Sequence, residues 1–99
     1  MDRRPDLGQI FRRICPNVYF QPPASVTMTY PAIRYQRERI DNNSANNGVY
    51  LQNVAYLVTV IDSDPDSQIV KEVSRLPMCR FNRHYTADNL NHDTFVIYY

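Results

Sequence analysis

Hydrophobic residues recur at helical spacing near the start of the chain. Four of them fall at positions i, i+3, i+4 and i+7, which is the spacing of one apolar stripe on a helix: Leu7, Ile10, Phe11 and Ile14. Arginine and glutamine fill the other side of this stripe. The pattern predicts a short amphipathic helix over residues 5–14 that ends before Pro16.

The period then changes to two, which is typical of strands. Val18 and Phe20 alternate within residues 17–21, and Pro22 stops the alternation, so a short strand at a sheet edge is predicted. In residues 31–40, Ile33 and Tyr35 share a face that continues into arginines. This segment is predicted to be a strand that is buried at one end and solvated at the other.

Residues 41–48 form a cluster of turn formers that contains four asparagines and a glycine. Asparagine and glycine tolerate left-handed backbone, so this cluster is predicted to be the exposed tip of a long hairpin. The returning strand, residues 49–61, is apolar on both faces from Val54 onward. Such a strand is expected at the centre of a sheet, with helices on one face and another cover, such as a neighbouring subunit, on the other.

A second helix is predicted to begin with Asp64 as the N-cap and Pro65 at the first helical position. Its apolar stripe consists of Ile69, Val70, Val73 and Leu76, and Pro77 ends it. Residues 78–85 and 93–99 alternate as two further strands, with residues 86–92 as the loop between them.

The predicted order is therefore α-β-β-β-α-β-β over residues 1–99, a single domain of the α+β class. We expect a mostly antiparallel sheet with both helices packed on one face. Neither a membrane span nor an export signal is recognisable in the sequence.

Composition favours protein contacts over chemistry. The net charge is +1, but ten of the eleven cationic residues are arginine, and there are eight tyrosines and no tryptophan. Arginine and tyrosine are enriched at protein interfaces. Cys15 and Cys79 are predicted to be free thiols or small buried hydrophobes rather than a disulfide.

Two clusters, one of aspartates and one of histidines, contain residue types that can bind metal ions. Asp62, Asp64 and Asp66 have the spacing that begins an EF-hand loop, but Ser67 and Val73 stand where that loop needs glycine and glutamate. Helix capping accounts better for these aspartates.

His84 and His92, with Asp88 and Asp93 nearby, could ligate zinc if the last two strands bring the histidines together. A hydrogen-bonded loop or a contact surface is the favoured interpretation. No motif of a catalytic nucleophile, a P-loop or a dinucleotide site is present, so no catalytic, cofactor or metal residue is predicted.

Nucleic-acid contact is a second class of function that the arginines allow. Four arginines lie near the first helix and could contact phosphates without sequence preference: Arg3, Arg4, Arg12 and Arg13. A solvated helix face is the favoured explanation, because the rest of the chain is nearly balanced in charge.

Three segments carry a resemblance: YPAIRY at residues 30–35, YLVTVIDSDPDS at 56–67 and CRFNRHYTADNLNHD at 79–93. Together they resemble small proteins of tailed phages and prophages that are described as tail completion, tail terminator or neck proteins. The likeness covers roughly residues 17–99, and RHYTADNLNH is its most specific part.

The resemblance implies a homo-oligomer, a hexameric ring that caps the tail tube and joins the head–tail connector in the virion. Genomic DNA would pass through the ring, and the subunits would assemble in the host cytoplasm. A ring of the neck or a head–tail adaptor is the alternative, and a small DNA-contacting accessory protein is a further one. The residues expected to contact partners are Asn42, Asn43, Asn46 and Asn47 at the long tip, and Arg80, Arg83, His84, Tyr85, Asp88, Asn89, Asn91 and His92 around the second loop.

Overall fold

A computed structural model of the chain describes residues 4–44 and 50–99. It contains two helices and five strands: α1 (Arg4–Ile14), β1 (Val18–Phe20), β2 (Ala32–Ser44), β3 (Tyr50–Asp62), α2 (Gln68–Ser74), β4 (Cys79–Ala87) and β5 (Leu90–Tyr98). The predicted α+β class and the order α-β-β-β-α-β-β are confirmed. Neither helix is long and apolar enough to cross a membrane in the part of the chain that is described.

The strands form one sheet in the order β1-β2-β3-β5-β4. The short β1 runs parallel to β2 at one edge, as expected for a strand stopped by proline, and the other pairs are antiparallel. The apolar strand β3 lies at the centre, as predicted, because both its neighbours pair with it over at least eight register positions. The nine-residue β4 forms the second edge.

Both helices pack on one face of the sheet. Leu7 and Phe11 of α1, Cys15 directly after it and Val73 of α2 are buried in a single cluster with alternate residues of the strands. The remaining members of the two predicted helical stripes, Ile10 excepted, pack at its margin: Ile14, Ile69, Val70 and Leu76. Burial of this stripe and of the facing strand residues is the main source of stability for a domain of this size.

Tyr35 of β2 is the centre of the contact between α1 and the sheet. Its ring lies 5.0 Å from Phe11, 4.9 Å from Phe20 and 6.1 Å from Tyr56, measured between centroids. The helix approaches this ring so closely that Gly8 leaves no room for a side chain, since a Cβ atom there would lie 2.8 Å from the Tyr35 hydroxyl oxygen. Gly8 is therefore required by packing rather than by backbone conformation.

The predicted start of α2 is wrong. The helix begins at Gln68, and its N-cap is Ser67, whose hydroxyl accepts from the Val70 N–H at 3.4 Å. Asp62 and Asp64 instead accept the backbone N–H groups of Asp64 and Asp66, at 3.0 and 2.9 Å. These side-chain turns fold the segment before the helix. The aspartates therefore precede the helix, which begins three residues later than predicted.

The hairpin of β2 and β3 extends beyond the rest of the sheet. The last residue of β5 that pairs with β3 is Tyr98, opposite Ala55, whereas β2 and β3 stay paired as far as Ser44 and Tyr50. This two-stranded arm, residues 40–44 and 50–54, contributes to the elongated shape of 51 × 28 × 23 Å. The predicted long hairpin is thus present, with strands that reach further into the Asn-rich segment than expected.

The face opposite the helices, called the far face below, consists of the alternate strand positions. Two of its rows, read across β2, β3, β5 and β4, are Arg34–Thr59–Thr94–Arg83 and Gln36–Leu57–Val96–Arg80. On this face Ala55, Thr59 and Ile61 of β3 are already buried within the single chain. The expectation that β3 needs a neighbouring subunit to cover its second face is therefore weakened, because between Ala55 and Ile61 Leu57 is the one far-face residue of β3 that stays partly exposed.

Candidate partner interface

The hairpin of β4 and β5 carries most of the predicted contact residues, and its turn is tighter than predicted. The strands pair up to Ala87 and Leu90, so only Asp88 and Asn89 connect them. Both have positive φ, 53° and 63°, as a type I′ hairpin turn requires. The loop predicted over residues 86–92 is thus a two-residue turn, because aspartate and asparagine adopt left-handed backbone at low cost.

A β-bulge interrupts this hairpin between Phe81 and Arg83. The Thr94 hydroxyl, on β5, accepts from the Asn82 amide and from the Arg83 N–H and donates to the Arg83 carbonyl, each at 3.1 Å. A bulge adds one residue and so shifts the alternation of side chains. Arg83 therefore lies on the same far face as Arg80, although their spacing of three residues would separate them in a regular strand.

Three predicted contact residues form a column on the far face. The rings of Tyr85 and His92 are stacked, with 4.7 Å between centroids and 18° between planes. The Arg83 guanidinium lies 4.9 Å from the centre of the Tyr85 ring. This cation–π contact and the stack hold an arginine in a defined place on an exposed surface.

His84 lies on the opposite side of the hairpin from His92. In the register His84 faces Asp93, whereas His92 faces Tyr85. Paired residues share a face and successive residues alternate, so the two histidines do not converge. The zinc alternative is not supported, and no group of three metal-ligating side chains is found among the described residues.

Several polar side chains of the hairpin make contacts within the chain. The His84 Nε2 atom lies 3.2 Å from the Asn91 Oδ1 atom, and the Asn91 amide donates to the Ser63 carbonyl at 3.4 Å. The His92 Nδ1 atom lies 3.1 Å from the Leu90 carbonyl oxygen. These contacts fix the hairpin against the end of β3 and support the interpretation of an internally bonded segment for this part.

The predicted contact residues of the last hairpin thus fall into three groups. Arg80, Arg83, Tyr85 and His92 lie together on the far face, His84 and Asn91 lie on the helix side, and Asp88 and Asn89 form the turn. Of the long tip, Asn42 and Asn43 belong to β2 in the arm, where they pair with Gln52 and Leu51. Asn46 and Asn47 lie outside the described residues.

The outer edge of β4 is a feature that the sequence did not single out. The Tyr98 backbone N–H donates to the Met78 carbonyl at 3.1 Å, so Met78 and Tyr98 form a hydrogen-bonded pair of the ladder. In an antiparallel ladder hydrogen-bonded and non-hydrogen-bonded pairs alternate, so the backbone groups of Cys79 and Phe81 point away from β5. At this edge the Phe81 side chain is 59% exposed and that of Met78 is 68% exposed.

Phe81 is nevertheless anchored, since its ring contacts that of Phe95 edge-on at 5.6 Å. Its neighbour Cys79 is a free thiol, and partial burial raises its pKa to about 11. The edge therefore combines outward backbone donors and acceptors with a fixed aromatic ring. The sequence offers a signal for this edge. Cys79 and Phe81 alternate directly after Pro77, and the residues that follow them are mostly polar.

A scan against protein-family models finds no matching family, and a search of curated proteins finds no match to the chain.

Proposed function

We propose that the chain is a structural protein of a tailed phage, a tail terminator or tail completion protein that forms a homo-oligomeric ring at the head–tail junction. In this role it acts through contacts and not through catalysis. Its partners are further copies of itself, the tail tube and the head–tail connector. The ring belongs to the virion and assembles in the host cytoplasm.

The observation that carries this proposal is the unpaired edge of β4. It presents nine residues of strand with the Cys79 and Phe81 backbone groups directed outward, beside two exposed apolar side chains. Natural proteins usually protect such an edge with charge, proline or a cover, because it readily pairs with another chain. β4 carries a bulge and the charges of Arg80 and Arg83, but its first residues keep outward backbone groups beside the exposed Met78 and Phe81 side chains. We expect this part of the edge to be covered by another strand in the working assembly.

The two edges of the sheet are unequal, so in a ring β4 of one subunit would join a different surface of the next. β1 has only three residues and runs parallel to β2, whereas β4 is long and antiparallel to β5. A contact that joins β4 of one subunit to a different surface of the next is heterologous, and heterologous contacts close into rings when the rotation permits. The β2–β3 arm then projects from each subunit and is available to the tail tube or the connector.

Light scattering coupled to size-exclusion chromatography, with the protein alone and mixed with tail tubes that lack their terminator, tests the proposal. We expect assembly into a multiple of the 11.7 kDa subunit and, by electron microscopy, an added ring at one end of each tube. A protein that stays monomeric and leaves the tubes unchanged would contradict the proposal. A ring that binds connectors but not tubes would move it to the neck.

A pair of variants tests the edge itself. Phe81→Lys places a charge beside the outward backbone groups of β4, a device that natural edges use to prevent pairing. Val26→Lys is the matched control, since Val26 is also an exposed apolar residue, 38% exposed, but lies in the connection between β1 and β2. We expect the first variant to remain monomeric and the second to assemble like the wild type.

A further inference from the structure

Arginines border the far face of the sheet at both ends of one row. Arg34 on β2 and Arg83 on β4 lie in register, with Thr59 and Thr94 between them. Three strand spacings separate the two arginine positions, which is roughly 14 Å. The two threonines are only 3% and 4% exposed, so short buried side chains lie between two long cationic ones.

Two further arginines extend these borders along the strands. Arg80 lies on the same face of β4, and Arg39 lies on the same face of β2, in register with Tyr98 through Ala55. The Arg39 guanidinium lies 5.7 Å from the centre of the Tyr98 ring and donates a hydrogen bond to its hydroxyl. Arginines held on tyrosine rings lose less conformational freedom when they bind a ligand.

The central rows of this face carry no carboxylate. No aspartate or glutamate occupies the register positions of the far face from Ala32 to Arg39 and their partners; Glu38 is the extra residue of the bulge in β2. Along β2 the next far-face position in the register is that of Asp41, opposite Asn53 in the arm. Other carboxylates lie after β3, where Asp64 and Asp66 are exposed, and on α2. A chain with a net charge of only +1 thus presents one locally basic surface.

We propose that the far face binds the phosphate backbones of double-stranded DNA. The two borders of arginines are separated by a distance similar to the width of the major groove, about 12 Å, so each border can contact one of the strands that flank it. The rings of Tyr85 and His92 are stacked on each other, which leaves phosphate contact rather than base stacking as the main interaction. Binding is therefore independent of base sequence.

This inference does not rest on ring assembly, because every contributing side chain belongs to one subunit. The full chain is titrated into a fluorescein-labelled duplex of about 20 base pairs, and anisotropy is read at several salt concentrations. Four phosphate contacts give a slope of log K against log salt of about −3.6, a loss of about 100-fold in affinity between 50 and 200 mM salt. The double variant Arg80→Gln, Arg83→Gln should halve the slope to about −1.8.

The matched control is Arg12→Gln, Arg13→Gln, which removes two exposed arginines from α1 on the helix side and should leave the slope unchanged. Methyl NMR locates the contact without any substitution. We expect DNA to shift the signals of Leu57 and Val96 on the far face and to spare Val58 and Val60 on the helix face.

Equal losses in the two double variants, or methyl shifts on the helix face, would overturn the inference. So would the absence of binding at about 50 mM salt with the protein at hundreds of micromolar. Binding to a polyaspartate peptide but not to the duplex would overturn it in favour of an acidic protein surface. Repeating the titration with Phe81→Lys separates this result from assembly, since DNA binding should persist in the monomer.

Discussion

Replacing Gly8 by alanine is expected to destabilise the protein, although alanine is the better helix former. Gly8 lies in the middle of α1 and is buried against β2. A Cβ atom at this position would lie 2.8 Å from the hydroxyl oxygen of Tyr35 and 3.4 Å from a guanidinium nitrogen of Arg12. The first contact is shorter than Cβ atoms in real structures accept, so the helix or the ring must move.

The magnitude follows from two opposing effects. Alanine gains about 1 kcal/mol over glycine from helix propensity. Overpacking of a well-filled core costs about 1–3 kcal/mol, and Tyr35 has little freedom to yield, since it is 2% exposed and contacts the rings of Phe11 and Phe20. We expect a net loss of about 1 kcal/mol in the free energy of unfolding.

A double-mutant cycle with Tyr35→Phe tests this reasoning by changing the sign. Removal of the hydroxyl opens the space that the new methyl group needs, so Gly8→Ala should stabilise the Tyr35→Phe background by about 0.5–1 kcal/mol. Urea unfolding followed by far-ultraviolet circular dichroism measures all four proteins, and Gln9→Ala at an exposed helix position should change stability by only a few tenths of a kcal/mol. A stabilising Gly8→Ala in the wild type, or equal effects in both backgrounds, would refute the close approach.

Three further predictions concern the last hairpin. Thr94→Val should cost about 1–3 kcal/mol in urea unfolding, because the Asn82 amide and the Arg83 backbone lose their hydroxyl partner at the bulge; Thr94→Ser should recover most of the loss. Asn89→Val should cost about 1–2 kcal/mol at its φ of 63°, whereas Asn89→Gly should be neutral or slightly stabilising in the same assay. The raised Cys79 pKa, about 11, predicts slow alkylation at pH 8 and a rate that keeps rising about tenfold per pH unit until the pH nears 11, measured by mass spectrometry in a Cys15→Ala background. A rate that levels off near pH 9 would contradict it.

Elements with a strong hydrophobic period were predictable from the sequence. The stripe of α1 and the alternation in β2 each bury one consistent face, and the run of β3 that is apolar on both faces is typical of a central strand, so the pattern alone identifies them. Boundaries that depend on competition between similar side chains were not. Asp64 and Ser67 are both good N-caps. The side chain of Asp64 is engaged in a turn with the Asp66 N–H, so Ser67 caps the helix.

The last hairpin was predictable in its position but not in its geometry. The hairpin could be located from its turn-forming residues, yet the left-handed pair Asp88 and Asn89 shortened the loop. The grouping of Arg80 with Arg83 depends on a bulge held by Thr94, and no periodicity reveals a single extra residue. The facing positions of Arg34 and Arg83 depend on register across four strands, which is a tertiary property.

Assembly through the edge of β4 is the central claim of the account, and amide hydrogen exchange of the assembled protein tests it most directly. The Cys79 and Phe81 N–H groups point away from β5 and have no partner strand within the described chain. In the assembly we expect both amides to exchange more slowly, by on the order of a hundredfold, than in dilute wild-type monomer. For Cys79 the Phe81→Lys monomer is a second reference, and we expect the same slowing against it. An assembly in which these two amides exchange as fast as in the monomer would contradict the claim.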